Sequence, residues 1–205
     1  DARGKRSAYK PARVIGAGTA GTGKSRTTRA IVKQRRIRAR RAGKTAEAVR
    51  GCCALAAPTG CASFQMKFGA ATAHRVYGIP SRRTFKRINK QSEQYTRLRK
   101  RLGLARLLVL DERSMIGRRF LGKIAFRTGE VLGFGEGPRG ASLGFRDFLM
   151  MGDDKQIDPI GDNALYLDGS YKGKAQVVEG GPSPDALVGL GLSLRNECED
   201  VVILR

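Results

Sequence analysis

Residues 18–25 read Gly18-Thr19-Ala20-Gly21-Thr22-Gly23-Lys24-Ser25, the spacing G-x-x-x-x-G-K-S of a phosphate-binding loop. Each position has a mechanical reason. The glycines let the backbone wrap a polyphosphate with its N–H groups turned inward. Lys24 can reach the terminal phosphates, Ser25 can offer its hydroxyl to Mg2+, and a helix starting here aims its positive end at the anion. Two further groups suit the same chemistry. The apolar run Leu107-Leu108-Val109-Leu110 ends in Asp111-Glu112. Asp111 is placed to hold Mg2+ directly or through water, and Glu112 to polarise an attacking water. A second run, Phe148-Leu149-Met150-Met151, leads into Gly152-Asp153-Asp154-Lys155-Gln156. There Gln156, uncharged and able to donate, can sense a terminal phosphate, and Asp153 can bond near the metal or the loop backbone. Each segment alone has a plainer reading: a Gly-rich turn before a basic helix, an Asp-Glu helix start favoured by the helix dipole, a polar turn. Together they point to a bound nucleoside triphosphate, ATP with Mg2+, and to its hydrolysis.

Such residues meet only if the chain delivers them to one place. Short apolar runs without strict alternation predict strands over 12–16, 52–57, 106–110, 146–151 and 200–204, each covered on both faces. Helices are expected over 25–42, 60–68, 72–77, 91–102, 115–127 and 184–195, the first opened by Ser25 and stopped by Gly43. The alternation predicts an α/β fold, a P-loop NTPase with a mainly parallel sheet and helices on both faces. In such sheets ligands sit beyond the carboxyl ends of the strands, where the phosphate loop falls. Residues 129–144 read as a Gly-rich surface loop and 166–184 as an excursion. No repeat or linker divides the chain, so 1–205 is expected to be one domain.

The chain has 205 residues and a net charge of +22. Twenty-eight of its 40 Lys and Arg residues, but only three of its 18 Asp and Glu residues, fall within residues 1–106. A strongly basic half beside a mildly acidic one implies a polyanionic partner, nucleic acid first. The run Lys33-Gln34-Arg35-Arg36-Ile37-Arg38-Ala39-Arg40-Arg41 is dense enough to repel itself unless an anion compensates. It also resembles a nuclear-import signal. A membrane surface fits less well, because no amphipathic anchor with a strong apolar face is evident, and no apolar run approaches a membrane span. No secretory signal is visible. Without Trp the core should be aliphatic. Cys52, Cys53, Cys61 and Cys198 match neither a zinc pair nor a disulfide framework, and Cys52 and Cys53 are expected to be small buried residues. The first residue is Asp1 rather than Met, as expected of a fragment or a processed product.

In order, Gly18–Ser25, Ala57-Pro58-Thr59-Gly60, Gly69-Ala70-Ala71-Thr72-Ala73-His74 with Gly78-Ile79, Asp111-Glu112-Arg113-Ser114-Met115, and Gly152-Asp153-Asp154-Lys155-Gln156 resemble the motifs of superfamily-one DNA helicases, in particular the Pif-type, RecD-like branch. The resemblance spans about residues 14–166. It implies a RecA-like first motor domain and a 5′-3′ helicase driven by ATP. Single-stranded DNA or DNA junctions would be its partners, in repair, recombination and telomere maintenance, with residence in the nucleus or mitochondrion. It gives Lys24, Ser25, Asp111, Glu112 and Gln156 the roles already argued. It lays Pro58, Thr59 and Gly60 along single-stranded DNA, which suits a strand end with a hydroxyl and free N–H groups. It brings His74, the only histidine, near the same path, although a helix-surface or core histidine is as reasonable. Phe64, Phe68 and Tyr77 could stack on bases, but their spacing is that of core residues.

The chain also departs from the family pattern. Thr19 stands where Pro is usual, and Arg113 replaces an apolar residue and is expected to face inward awkwardly. Asp154 and Asp158 add acid around Gln156, and no nucleotide-clamping segment is recognisable before the loop. The family's second motor domain, which supplies arginines to ATP and grips DNA, is expected to lie outside the 205 residues. These departures leave a rival reading: a catalytically weakened P-loop protein that binds nucleic acid without unwinding it. A nucleoside kinase is a third, less well matched by Asp111-Glu112 and Gln156.

Overall fold

A computed structural model describes residues 10–81, 84–133, 143–144, 146–153, 155–166 and 181–205. In chain order the elements are β1 (Arg13–Ala17), α1 (Lys24–Arg41), α2 (Ala46–Gly51), β2 (Cys53–Ala57), α3 (Gly60–Met66), β3 (Ala71–Thr72) and α4 (Ala73–Tyr77). After them come α5 (Glu93–Leu104), β4 (Leu107–Leu110), a 3-10 turn (Arg113–Met115), α6 (Arg118–Leu132), β5 (Asp147–Gly152), α7 (Pro184–Asn196) and β6 (Asp200–Ile203). The six strands form one sheet in the order β3-β2-β4-β5-β1-β6, and every pairing is parallel.

Local chemistry sets most helix starts. The hydroxyls of Thr45, Thr59, Thr72, Ser92 and Ser183 accept backbone N–H bonds from Ala48, Ala62, Arg75, Tyr95 and Ala186. Each satisfies a donor that a helix start leaves without an internal partner, worth about 1 kcal/mol. Two elements had no clear sequence signal: α2, six residues after Gly43, and the two-residue β3. The helix expected over 115–127 begins later and runs longer. A 3-10 turn takes its first residues, and α6 carries the chain to Leu132 through buried Gly129, so the irregular segment expected from 129 starts after the helix. Residues 134–142, 145 and 167–180, with most of the two expected irregular stretches, lie outside the described residues.

Side chains alternate across the sheet. Leu108 and Leu110 of β4, with Phe148 and Met150 of β5, join the apolar faces of α5, α6 and α7 in one core. Leu107, Val109, Leu149 and Met151 point the other way and pack with Val32 of α1 and Met66 of α3. Cys52 and Cys53 are buried on that second side, as expected, and all four cysteines are free. Helices α6 and α7 approach until backbone meets backbone: a Cβ on Gly122 would lie 1.7 Å from the Leu187 carbonyl oxygen.

The amino end of the sheet is closed by a polar network. Asp147 accepts the Ala12 N–H at 2.9 Å and pairs with Arg35 of α1. Arg13 donates to the Arg146 carbonyl and pairs with Glu197 at 3.3 Å. Arg146 donates to the carbonyls of Leu102 (3.1 Å), Ala105 (2.9 Å) and Gly144 (2.7 Å). Arg13, Arg146 and Asp147 are all buried, so these bonds replace the water that burial removes.

Candidate functional site

The strand order does the gathering. β2, β4, β5 and β1 are consecutive neighbours running the same way. The segments after them, Pro58-Thr59-Gly60, Asp111-Glu112, Gly152-Asp153 and Gly18–Ser25, therefore emerge side by side at one edge. Ala17 is in register with Gly152, and Leu110 with Met150. Backbone bonds stitch the exits together: Gly18 N–H to the Gly152 carbonyl at 3.2 Å, and Asp111 N–H to the Ala56 carbonyl at 2.9 Å.

The loop after β1 turns through Gly21 and Gly23, at φ 83° and 87°, a left-handed region that costs glycine little and other residues more. Thr22 steadies the turn, its hydroxyl donating to the Thr19 carbonyl at 2.9 Å. Lys24 folds back over the loop and donates to the carbonyls of Gly18 (2.7 Å) and Thr19 (2.8 Å). Thr19, where proline is usual, thus offers only its carbonyl to these bonds. The start of α1 is distinctive. Its cap is Gly23, no side chain bonds to it, and its first turn holds no acid. Ser25, in that first turn, is exposed. By contrast α6, also begun at a glycine, receives the Asp162 carboxylate on the N–H groups of Arg119 (3.2 Å) and Phe120 (2.9 Å).

Asp111 is buried at the tip of β4, and one of its oxygens accepts the Glu112 N–H at 3.1 Å. Burial pushes its pKa up, opposed by that bond and by Lys24. Glu112 is held at φ 52°, a left-handed conformation for a residue with a side chain, and such strain tends to concentrate at functional sites. Burial raises its pKa too, helped by the charges of Asp111 and Asp153 and opposed by Lys24. The lysine and three carboxylates therefore lie within one another's fields. Asp153 is buried; its carboxylate accepts the Lys155 N–H and its carbonyl the Gln156 N–H, both at 3.1 Å. Gln156 lies exposed in this turn, at the right end of the sheet but without a side-chain bond to the loop among the described residues.

Arg113 fits better than its sequence context promised. It is buried, and its stem packs on Gly152, where a Cβ would come within 2.6 Å of the Arg113 Cγ. Glycine at the last position of β5 is what leaves it room. Asp158 is exposed and accepts a bond from the Tyr166 hydroxyl. Asp154 lies outside the described residues.

Beyond β2, the Thr59 hydroxyl is occupied in capping α3, accepting the Ala62 N–H at 3.2 Å, while Gly60 is exposed and Pro58 half-buried. His74, on α4, is half-buried against Phe120 with ring centroids 4.8 Å apart. Burial, and then Lys123, lowers its pKa. The three aromatic residues part company. Tyr77 is fully buried, whereas Phe64 is 85% exposed, a correction to the core reading. The signal was available: Ser63 and Met66 are the buried face of α3, and Phe64, two positions before Met66, points off it. Phe68 is exposed and lies beneath the Arg36 guanidinium, 5.1 Å from ring centroid to carbon.

A family model described as PIF1-like helicase matches residues 6–167, from before β1 to just beyond Tyr166. The chain belongs to the PIF1-like helicases. Among solved structures it is similar to a Pif1 helicase from Bacteroides in complex with ADP-AlF3 and ssDNA, at 27% identity and a TM-score of 0.55, over 74% of this chain and 30% of that one. A Bacteroides Pif1 bound to ssDNA matches at 28% identity and a TM-score of 0.52, over 73% and 30%. The Pif1 helicase from Candida albicans shares the fold at 20% identity and a TM-score of 0.62, over 95% of this chain and 36% of its own. The chain thus spans about a third of the length of these PIF1 structures. No curated protein matches it. The mainly parallel α/β fold expected from the strand and helix order, and the RecA-like P-loop domain implied by the family resemblance, are the fold of these relatives. Among the described residues no helix is long and apolar enough to cross a membrane.

Proposed function

We propose that this chain is the ATP-binding and ATP-hydrolysing motor domain of a 5′-3′ DNA helicase acting on single-stranded DNA. The observation that carries the reading is the meeting, at one end of one sheet, of the uncapped start of α1, Lys24 and the Asp111–Glu112 pair. In this reading the backbone of Gly18, Thr19, Ala20, Gly21, Thr22 and Gly23 cradles the phosphates of ATP, with the first N–H groups of α1 behind it. Lys24 exchanges the carbonyls of Gly18 and Thr19 for charged phosphate oxygens, which form stronger bonds with an ammonium. Ser25 and Asp111 hold Mg2+, whose charge offsets that of the phosphates and draws electron density from them. So small a protein share suits Mg2+, which takes one or two carboxylates and leaves the rest to phosphate and water. It also agrees with the lack of any cluster of three His, Cys, Asp or Glu among the described residues. Glu112, its proton affinity raised by burial, accepts the proton of the attacking water. Gln156 follows the terminal phosphate from the turn after β5.

Pro58, Thr59, Gly60 and His74 lie along the DNA strand in the same reading. The partners are single-stranded DNA or DNA junctions and a second motor domain that brings arginines to ATP. The nucleus or the mitochondrion is the proposed compartment. The rival, a weakened nucleic-acid-binding protein, drew on Arg113, Asp154 and Asp158, of which Asp154 lies outside the described residues. The packing of Arg113 on Gly152 and the bond from Tyr166 to Asp158 give both residues structural work, which supports the motor. The deciding measurement is ATP turnover by the full-length gene product with and without single-stranded DNA. Turnover that rises severalfold with DNA is expected. ATP binding with no turnover in either condition would replace the motor with the rival. The 205 residues alone are expected to bind Mg-ATP, hydrolyse it feebly and unwind nothing.

A further inference from the structure

The charge concentrated before residue 106 has a second focus, away from the strand ends. β3 pairs only with Ala56 and Ala57 of β2, so the outer edge of β2 at Cys53, Ala54 and Leu55 opens into a cavity of about 630 Å³. Four arginines from four helices line it: Arg36 (α1), Arg50 (α2), Arg75 (α4) and Arg101 (α5). Among the described residues no Asp or Glu lines it. Glu47, one turn before Arg50, is paired with Lys100 at 2.8 Å and also feels the charge of Arg50, so it offsets that arginine only in part.

What holds Arg36 and Arg101 is main chain. Arg36 donates to the Phe68 carbonyl at 2.9 Å and the Arg50 carbonyl at 3.3 Å. Arg101 donates to the carbonyls of Arg75 at 2.8 Å and Val76 at 3.4 Å. These bonds fix the direction of the guanidinium groups without neutralising them. Burial, and then repulsion from Arg75, weakens the hold of Arg101 on its proton. Phe68 closes the rim under Arg36, an aromatic face beside a cation. Guanidinium groups gathered on one cavity, two of them held in place by main chain, are an arrangement that binds phosphate oxygens. Arg36 is twelve residues from Lys24 on one continuous helix, about 18 Å along it at 1.5 Å per residue. The cavity is therefore separate from the nucleotide loop.

We infer that Arg36, Arg50, Arg75 and Arg101 form a second phosphate site, which takes the phosphodiester backbone of a nucleic-acid strand on the flank of the sheet. The inference rests on the nucleic-acid half of the proposed function and not on its ATP half. A strand is favoured over a free phosphate because the cavity is open, its four cations come from separate elements, and the basic face of α1 continues its charge toward Arg41.

The test uses the double variant Arg50→Glu/Arg75→Glu, both positions being exposed, with Arg50→Lys/Arg75→Lys as control. Affinity for a fluorescent single-stranded oligothymidylate is measured by anisotropy across a salt series, and affinity for pyrophosphate by calorimetry. The glutamate variant should bind the oligonucleotide at least tenfold more weakly. Its log-log salt slope should be shallower by about one to two, since each single-strand phosphate neutralised contributes about 0.7. The lysine variant should keep the slope, and Mg-ATP binding should be unchanged in both. If the parent binds the oligonucleotide and the glutamate variant matches it in affinity and slope, the site is refuted and the proposed function stands. If the parent fails to bind DNA at all, both fall. If pyrophosphate binding weakens while oligonucleotide binding does not, the ligand is a small phosphate compound and the strand assignment is overturned.

Discussion

At the amino end of the sheet, the buried carboxylate of Asp147 is met by the Ala12 N–H and by Arg35, and buried Arg13 by Glu197 and a carbonyl. At the carboxyl end, among the described residues, Glu112 lies in the fields of Asp111, Lys24 and Asp153, and burial makes Asp111 and Glu112 poorer anions than usual. Both ends contain acids and bases. One end pairs its acids with arginines within the fold; the other leaves an excess of carboxylate that a cation would offset. The first arrangement stabilises the protein and the second costs stability, as binding and catalytic sites commonly do.

Substitutions at the two ends should therefore separate stability from binding. The largest expected effect is on ligand. Lys24→Ala should lower Mg-ATP affinity about 100-fold or abolish measurable binding, since an ammonium bonds to phosphate oxygens with the help of charge. It should barely move the thermal midpoint. Calorimetric titration with Mg-ATP checks it, and parental affinity would remove the loop from the nucleotide site. Asp147→Ala should do the reverse. It strands a backbone donor and a half-buried guanidinium, a loss of about 3 kcal/mol in urea denaturation, with the folded fraction still binding Mg-ATP at parental affinity.

A smaller effect depends on pH. Burial holds the folded-state pKa of Asp111 above its unfolded value, so folding favours the protonated acid. That contribution is complete below the unfolded value of about 3.9 and is lost as pH rises through the folded one. Asp111→Asn carries no charge at any pH. It should melt above the parent at pH 7 and level with it as pH falls toward 4; a variant less stable than the parent at pH 7 would contradict the cost assigned to this end. The smallest expected change is at Glu112, whose φ of 52° suits glycine. Glu112→Gly should gain about 1 kcal/mol while removing the proposed base. Equal or lower stability in urea would show that the conformation is not strained.

How far these ends could be read from the sequence follows from the range of the interactions that make them. β1, β2, β4, β5 and most helices were legible because burial writes apolar runs and Thr or Ser before a helix writes its start. The last strand was found by the same apolar signal, but β6 is exposed rather than covered on both faces as expected. The short α2 and β3 leave no such period, and the late start of α6 depends on a 3-10 turn that tertiary contact with Gly152 permits. The phosphate loop was legible because its glycines act locally. The convergence of its neighbours came from strand order, which no single segment encodes. The amino-end network was invisible: Arg13, the adjacent pair Arg146 and Asp147, and Glu197 come from three distant stretches of the chain, and no local pattern marks them as partners. Phe64 was misjudged because aromatic spacing was weighed over the narrow buried stripe of a seven-residue helix.

The strand beside the phosphate loop adds a consequence of its own. β6 flanks β1 from Val14 to Ala17, and the Leu204 N–H bonds to the Ala17 carbonyl at 2.8 Å, one residue before Gly18. Yet β6 is an edge strand of the described sheet, with Val201, Val202 and Ile203 at least half exposed. Little apolar burial holds it down, so its amides should exchange with deuterium well before those of β4 and β5. Each time it frays, the root of the loop loses one wall. The rate of that breathing then limits how long the loop stays shaped for its anion, and anything that covers β6 would lengthen the time.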